Sequence, residues 1–482
     1  MNAESGGRAM PGLAAPWVDR LLLAGPDREP CLRLGQALDR TLVRAGVAEA
    51  EDRLRAAGLA PGGSAALRLP PSLAFVTSLL AAWRIGAQVS LLDHRLTEAE
   101  VGRALDRLAP QLLIEPEQQA NTAMRGYSVV AGPRLVARPE GRPAETDHVL
   151  IQLSSGSTGP SKVIARTAAD LEFELDRYAV LDGFPRRGGR VVLLSSIVHV
   201  LGLVGGLLHG LHAGVELVLP ERLTAAGILA AVDAGAEAGE PPRPTTVIGV
   251  PFYAELLAAA AAPRTLALER MIVAGELTRP GVPEAFTAAY GVPLGSMYGM
   301  TELGVIATDL DGTARPALDP NKGLELRIED GELHIRRPES PYLGASDPAR
   351  WSEGWLHTRD AARIDPATGR VTILGRRDSQ VSIGGLKVDL TEVEQALAAT
   401  PGVTGAIVVF DDGAILAYLT CADGVELEDV RRQLAAELAS YKLPRRLVPL
   451  AELPRTATGK LLRDVAALRT CAQPPTRPAP AG

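Results

Sequence analysis

Apolar runs of strand length alternate with helix-like stretches along this chain, and that alternation confines it to α/β architecture. Residues 71–84 predict a helix, 88–92 a short strand, 98–108 a helix opened by Thr97, and 111–114 a buried strand. Thr167 and Asp170 have the spacing of a capping box, and Leu171, Leu175 and Tyr178 then share one helical face. Residues 191–195, 246–250, 270–274 and 292–295 read as strands of the parallel type. From Glu325 the pattern changes to short strands separated by turns, such as 333–336 and 371–374, which indicates a small antiparallel subdomain. A small α+β domain follows, with helices at 391–399 and 427–439 and a hairpin at 406–419 around Asp411-Asp412-Gly413. Residues 235–244 read as a surface loop, the Pro-rich tail from Pro474 reads as disordered, and no internal repeat is visible.

A chain of 482 residues exceeds one ordinary core, so two or more domains are expected. A net charge of −7 speaks against a general nucleic-acid binder, which needs a basic footprint. Cys31, Cys421 and Cys471 make neither a disulfide framework nor a metal spacing, which suits a reducing cytoplasm. The N-terminus carries Glu4, Arg8, Asp19 and Arg20 and no apolar signal core. Residues 191–215 contain no Asp, Glu, Lys or Arg and are long enough to span a bilayer. They also hold five glycines and three histidines, so a buried strand, a loop and a packed helix is the favoured reading, with no membrane span.

The segment Leu153-Ser154-Ser155-Gly156-Ser157-Thr158-Gly159-Pro160-Ser161-Lys162 carries five hydroxyl side chains, two glycines and a lysine. Glycines let backbone N–H groups turn onto an anion, hydroxyls donate hydrogen bonds, and lysine adds a mobile positive charge. Such a loop suits a nucleoside triphosphate. It is not a Walker A loop, because Ser161 stands where the second glycine belongs and Val163 where Ser or Thr belongs.

Four further segments accompany it in order. Tyr298-Gly299-Met300-Thr301-Glu302 follows a strand and offers an aromatic face, a hydroxyl and a carboxylate. Gly354-Trp355-Leu356-His357-Thr358-Arg359-Asp360 offers an aspartate for two ribose hydroxyls. Gly375-Arg376-Arg377-Asp378 precedes Gly384-Gly385-Leu386-Lys387-Val388, and Pro454-Arg455-Thr456-Ala457-Thr458-Gly459-Lys460 comes last. Together these segments resemble the adenylate-forming superfamily of acyl-CoA synthetases, peptide-synthetase adenylation domains and luciferases. The resemblance covers nearly the whole chain. The phosphate loop is most similar to that of stand-alone aryl-acid adenylating enzymes, which load a carrier protein.

The resemblance implies a large adenylation domain of sheets flanked by helices with a small antiparallel subdomain (1–377), a small mobile α+β lid (378–470) and a tail (471–482). It implies two half-reactions. A carboxylate attacks the α-phosphate of Mg²⁺·ATP and releases pyrophosphate, and a thiol of coenzyme A or of carrier-protein phosphopantetheine then captures the acyl-adenylate. By resemblance, Lys460 bridges the carboxylate and the α-phosphate, and Glu302 ligates Mg²⁺. Thr301 and the loop residues Ser154, Ser155, Gly156, Ser157, Thr158, Gly159 and Lys162 attend the phosphates. Tyr298 stacks on adenine, and Asp360 and Arg376 hold the ribose. His199, Val200, Gly275, Gly299 and Met300 line the acyl pocket, Asp378 is the hinge, and Gly384 and Gly385 guide the pantetheine arm. The implied partners are a small carboxylic acid and an acyl or peptidyl carrier protein, with the enzyme cytoplasmic and a monomer or homodimer.

Several positions depart from the family pattern. Arg359 stands where glycine usually precedes the ribose aspartate, and Ser382 where many relatives carry lysine. The 406–419 hairpin is shorter than usual, which favours a carrier protein over free coenzyme A. Plainer readings stand beside the functional ones: a core aromatic for Tyr298, a helix start for Thr301 and Glu302, a satisfied loop carboxylate for Asp360, a surface ion pair for Arg376, and structural histidines at 209 and 212. Residues 196–202 lack the carboxylate that would bind an α-amino group, and Val200 stands where catechol-type enzymes have asparagine. The expected acid is therefore an aryl or medium aliphatic carboxylate. A β-amino acid reached by Glu276, or capture of the activated acid by an amine, are the alternatives.

Overall fold

The computed structural model describes residues 16–118, 125–130, 132–154, 162–234, 242–260, 267–278, 280–344, 347–377, 379–454, 461 and 463–472. Two compact units emerge, one within 1–94, 105–153 and 163–377, the other within 95–104, 154–162 and 378–482.

The first unit contains a nine-stranded sheet whose middle is parallel. Glu216–Val218, Arg190–Leu193, Thr245–Gly249, Leu268–Ala274 and Leu294–Met300 lie side by side in that order. Strands Arg190–Leu193 and Thr245–Gly249 and residues 271–274 are buried on both faces, which is why their apolar residues run unbroken rather than alternating. Val191, Leu193, Ile248 and Ile272 point into one core, and Val192, Val247, Met271 and Val273 into another. The first of these cores is shared with a seven-stranded sheet through Leu67, Val89 and Ile114. Helix Leu73–Ile85 fills the space with Phe75, Leu79 and Trp83, whose indole N–H donates to the Val149 carbonyl at 2.8 Å. Its N-cap is Ser72, so the helix begins two residues later than Pro71 suggests.

Residues 191–215 fold as strand Arg190–Leu193, a loop, the π-helical stretch Leu201–Leu208 and helix His209–Ala213. Among the described residues no helix is long and apolar enough to cross a membrane. The antiparallel subdomain is a five-stranded sheet in which Glu332–Arg336 pairs with Trp355–Ile364, and the latter with Val371–Arg376.

The second unit contains a hairpin of Gln380–Ile383 and Leu386–Asp389. Its other sheet joins Val403–Asp411, Ala414–Cys421 and Arg446–Pro449, and helices Leu390–Ala399 and Leu427–Glu437 pack on it through Val393, Leu397, Val430 and Leu434. The 403–421 hairpin extends beyond the 406–419 span expected from sequence.

Candidate active site

Most of the candidate residues follow the carboxyl ends of parallel strands, where open α/β sheets bind their ligands. His199 lies beyond Arg190–Leu193, Gly275 directly after Leu268–Ala274, and Gly299 and Met300 at the end of Leu294–Met300. In the other sheet, Ser154 ends the strand Leu150–Ser154, and Lys162 begins the next strand, Lys162–Arg166. Residues 155–161, Asp378 and 455–460 lie outside the described residues, and with them Ser155, Gly156, Ser157, Thr158, Gly159 and Lys460. The same holds for 235–241 of the expected loop and for the tail from 473.

Tyr298, Asp360 and Arg376 are brought together. The Tyr298 hydroxyl donates to Asp360 Oδ2 at 2.6 Å, and Arg376 Nη1 lies 3.3 Å from Asp360 Oδ1. Asp360 and Arg376 are direct cross-strand partners, so the sheet register itself sets this pair. Arg376 Nη1 also donates to the Thr358 carbonyl at 3.1 Å. Tyr298 is half-buried. That burial, with the Asp360 carboxylate beside it, holds the phenol well above its ordinary pKa, so it stays a proton donor.

Thr301, Glu302 and Leu303 form the turn between strands Leu294–Met300 and Gly304–Asp309 rather than a helix start. Helix Ala168–Ala179 braces this turn from behind. Arg177 Nη2 donates to the Leu303 carbonyl at 2.8 Å, and Glu174 Oε1 accepts from the Val305 N–H at 3.2 Å. Gly304 takes φ +88, and a Cβ there would collide with the Glu174 carboxyl. Glu174 in turn receives Arg166 Nη1 at 2.5 Å, with both side chains fully buried. The capping box that starts the helix is present, with Thr167 and Asp170 bonded reciprocally.

Glu302 Oε1 accepts from the Tyr342 hydroxyl at 2.9 Å. Burial, together with Glu302, pushes the Tyr342 phenol upward, so it remains the donor. Among the described residues no group of three or more His, Cys, Asp or Glu is arranged to hold a metal. A single oriented carboxylate fits Mg²⁺, which retains waters and takes ligands from a substrate's phosphates.

His199 Nε2 lies 3.5 Å from Oδ2 of Asp93, a buried residue just beyond strand Gln88–Leu91. His94 Nδ1 lies 3.6 Å from the other oxygen of the same carboxylate. Asp93, carried by another strand end, thus lies between two imidazoles. Gln152 supports the same loop by donating to the Val198 carbonyl at 2.7 Å. Val200 packs at the edge of the first core. His209 and His212 contact backbone carbonyls of Pro185 and Leu21.

Gly384 and Gly385 form a two-residue hairpin turn with φ +55 and +80. Positive φ at both central positions is the geometry that demands glycine in such a turn.

Sequence reasoning missed Asp93, Glu174, Tyr342 and Glu332. For Asp93 a signal was present, since it directly follows the predicted strand 88–92, which the structure shows to be parallel. For the others, the contacts join segments far apart in the chain.

The fold and this arrangement define an adenylate-forming enzyme, and the chain belongs to the AMP-binding enzyme family. The family model "AMP-binding enzyme" matches residues 43–341, and "AMP-binding enzyme C-terminal domain" matches 392–460. The p-hydroxybenzoic acid–AMP ligase FadD22 of Mycobacterium marinum is 26% identical, covering 95% of this chain and 68% of that protein. The salicylyl-CoA synthase / salicylate adenylyltransferase of a Streptomyces species is 28% identical over 86% of each. The amide bond synthetase McbA of Marinactinospora thermotolerans shares the fold, with TM-score 0.78 at 23% identity over 95% of this chain and 99% of that one.

Proposed function

We propose that this enzyme activates an aryl carboxylic acid as its acyl-adenylate and transfers the acyl group to the thiol of coenzyme A. The observation that carries the reading is Asp360, a buried carboxylate fixed between a phenol donor and a guanidinium at the end of the Tyr298 strand. A carboxylate held in this way suits the two vicinal hydroxyls of a ribose, and the Tyr298 ring beside it suits a purine. The relatives acting on p-hydroxybenzoic and salicylic acids support the aryl class.

In the first half-reaction a carboxylate oxygen of the acid attacks the α-phosphorus of ATP, and the bond to the bridging β-phosphate oxygen breaks. Pyrophosphate leaves, and the carboxylate becomes a mixed anhydride with AMP as its leaving group. We assign Ser154, the 155–159 loop, Lys162 and Thr301 to the phosphates, and Lys460 to the charge developing between carboxylate and α-phosphate. Mg²⁺ at Glu302 neutralises phosphate charge when bound. In the second half-reaction the thiol sulfur attacks the acyl carbon and AMP departs. His199, held against Asp93, walls the acyl pocket with Val200, Gly275, Gly299 and Met300.

The test is acid-dependent ATP–pyrophosphate exchange over a panel of p-hydroxybenzoate, salicylate, a cinnamate, a medium-chain fatty acid and a β-amino acid. Exchange with an aryl acid, followed by thioester formation with coenzyme A, is expected. Exchange with no acid sinks the reading. Thioester formed only on a carrier protein, or product formed only with an amine, moves the acceptor to the classes that the sequence left open.

A further inference from the structure

The strand Trp355–Ile364 breaks its regular register where it passes Glu332–Arg336, between the Glu332–Ala361 and His334–His357 pairs. At this irregularity Arg359 takes φ +62, a left-handed conformation that a residue with a Cβ rarely adopts. An irregularity of this kind re-aims the side chains around it, and the next residue is Asp360. Something must hold Arg359 there. Glu332, only 6% exposed, accepts the Arg359 backbone N–H on Oε1 at 2.9 Å. Its Oε2 lies 3.7 Å from the Arg359 guanidinium and 3.7 Å from that of Arg377. His334 Nε2 completes the surroundings at 3.9 Å. Arg377 closes the loop from the other side, its N–H donating to the Arg359 carbonyl at 2.8 Å.

We propose that Glu332 is a positioning residue for nucleotide binding: by accepting the Arg359 N–H while facing two guanidiniums, it holds the left-handed backbone that aims Asp360. The inference rests on the reading of Asp360 as the ribose ligand. It explains how this chain tolerates arginine where a glycine would reach the same φ without support. The requirement for Glu332 is therefore conditional on Arg359 having a side chain. A residue with a merely structural role would show no such coupling.

The experiment measures AMP binding to the full chain by titration calorimetry, with thermal unfolding recorded for each variant. Glu332→Met removes the acceptor and the charge, and weakens AMP binding about tenfold; Glu332→Gln keeps an acceptor and costs about threefold. In an Arg359→Gly background the Glu332→Met penalty shrinks below about threefold, because glycine takes φ +62 unaided. Wild-type affinity in Glu332→Met, or an equal penalty in both backgrounds, overturns the proposal. If Glu332→Met loses its folding transition, the comparison is read from Glu332→Gln, whose penalty must likewise shrink beside Arg359→Gly. A wild-type chain that binds no AMP, or an Asp360→Ala variant that binds it normally, overturns the ribose reading instead.

Discussion

One phenol and one imidazole show how burial sets chemistry residue by residue. The Tyr298 hydroxyl is kept protonated by burial and by Asp360, so its 2.6 Å bond is a donor to a charged acceptor. Such bonds contribute about 1.5–3 kcal/mol. Tyr298→Phe removes that bond, along with the hydroxyl's contact to Thr358, and leaves Arg376 in place, so AMP affinity should fall about tenfold in calorimetry. Unchanged affinity would show that the bond does not orient Asp360 for the nucleotide. His209 lies 1% exposed with Nε2 2.8 Å from the Pro185 carbonyl, so that nitrogen carries the proton. Burial drives its pKa from 6.5 down to about 4. Between those values the unfolded chain binds a proton that the folded chain refuses. Its contribution is therefore intact above pH 6.5 and is lost as pH falls towards 4, by about 2 kcal/mol between pH 7 and pH 5. His209→Gln retains an N–H donor and removes the titration. The variant's unfolding free energy should decline less over that interval, by about 2 kcal/mol in denaturant titrations. Equal pH dependence would remove His209 as the cause.

The helix Ala168–Ala179 shows what an element adds and where sequence reading stops. Thr167→Ala removes one cap and should cost about 1 kcal/mol. Glu174→Gln leaves the fully buried Arg166 without its counter-charge and should cost about 3–5 kcal/mol. The second change should also weaken pyrophosphate exchange, because Glu174 braces the strand after the Thr301–Glu302 turn, whereas Thr167→Ala should leave exchange near normal. Thermal unfolding beside exchange rates checks both, and a Glu174→Gln chain as stable as Thr167→Ala would reverse that ranking. The capping box was legible because both partners lie within three residues. The strands at 190–193, 245–249 and 268–274 were legible because burial leaves continuous apolar runs, whereas the parallel strands Ser64–Leu67, Leu150–Ser154 and Glu216–Val218 were not read. The Arg166–Glu174 pair was not legible, because a strand and a helix must already be packed before those side chains meet. The approach of Asp93 to His199 was likewise not legible, since the two follow strands of different sheets. The strand 294–300 was seen only in its first two residues, because the apolar run ends at Leu294 and Tyr298-Gly299-Met300 reads as a motif rather than as sheet. Arg359 was visible as a departure, but its support by Glu332 is a consequence of strand register.

Across the whole molecule, the proposed chemistry divides into two half-reactions with different electrostatic needs. Forming the adenylate places negative charge on the pentavalent phosphate, the incoming carboxylate and the departing pyrophosphate. Transfer to a thiol needs no such counter-charge at the α-phosphate, since AMP leaves as a stable anion. Lys460, which lies in the segment matched by the C-terminal family model, is assigned only to the first of these. A group that acts in one transition state should affect one half-reaction. Lys460→Ala should therefore slow acid-dependent pyrophosphate exchange about 10²–10³-fold, the scale for losing one charge-stabilising donor. Thioester formation from supplied acyl-AMP and coenzyme A should stay within about threefold of the wild type. Near-normal exchange would take Lys460 out of the first half-reaction. An equal loss of both half-reactions, with an unchanged unfolding transition, would mean that the lysine serves a step common to both, namely the binding of the adenylate itself.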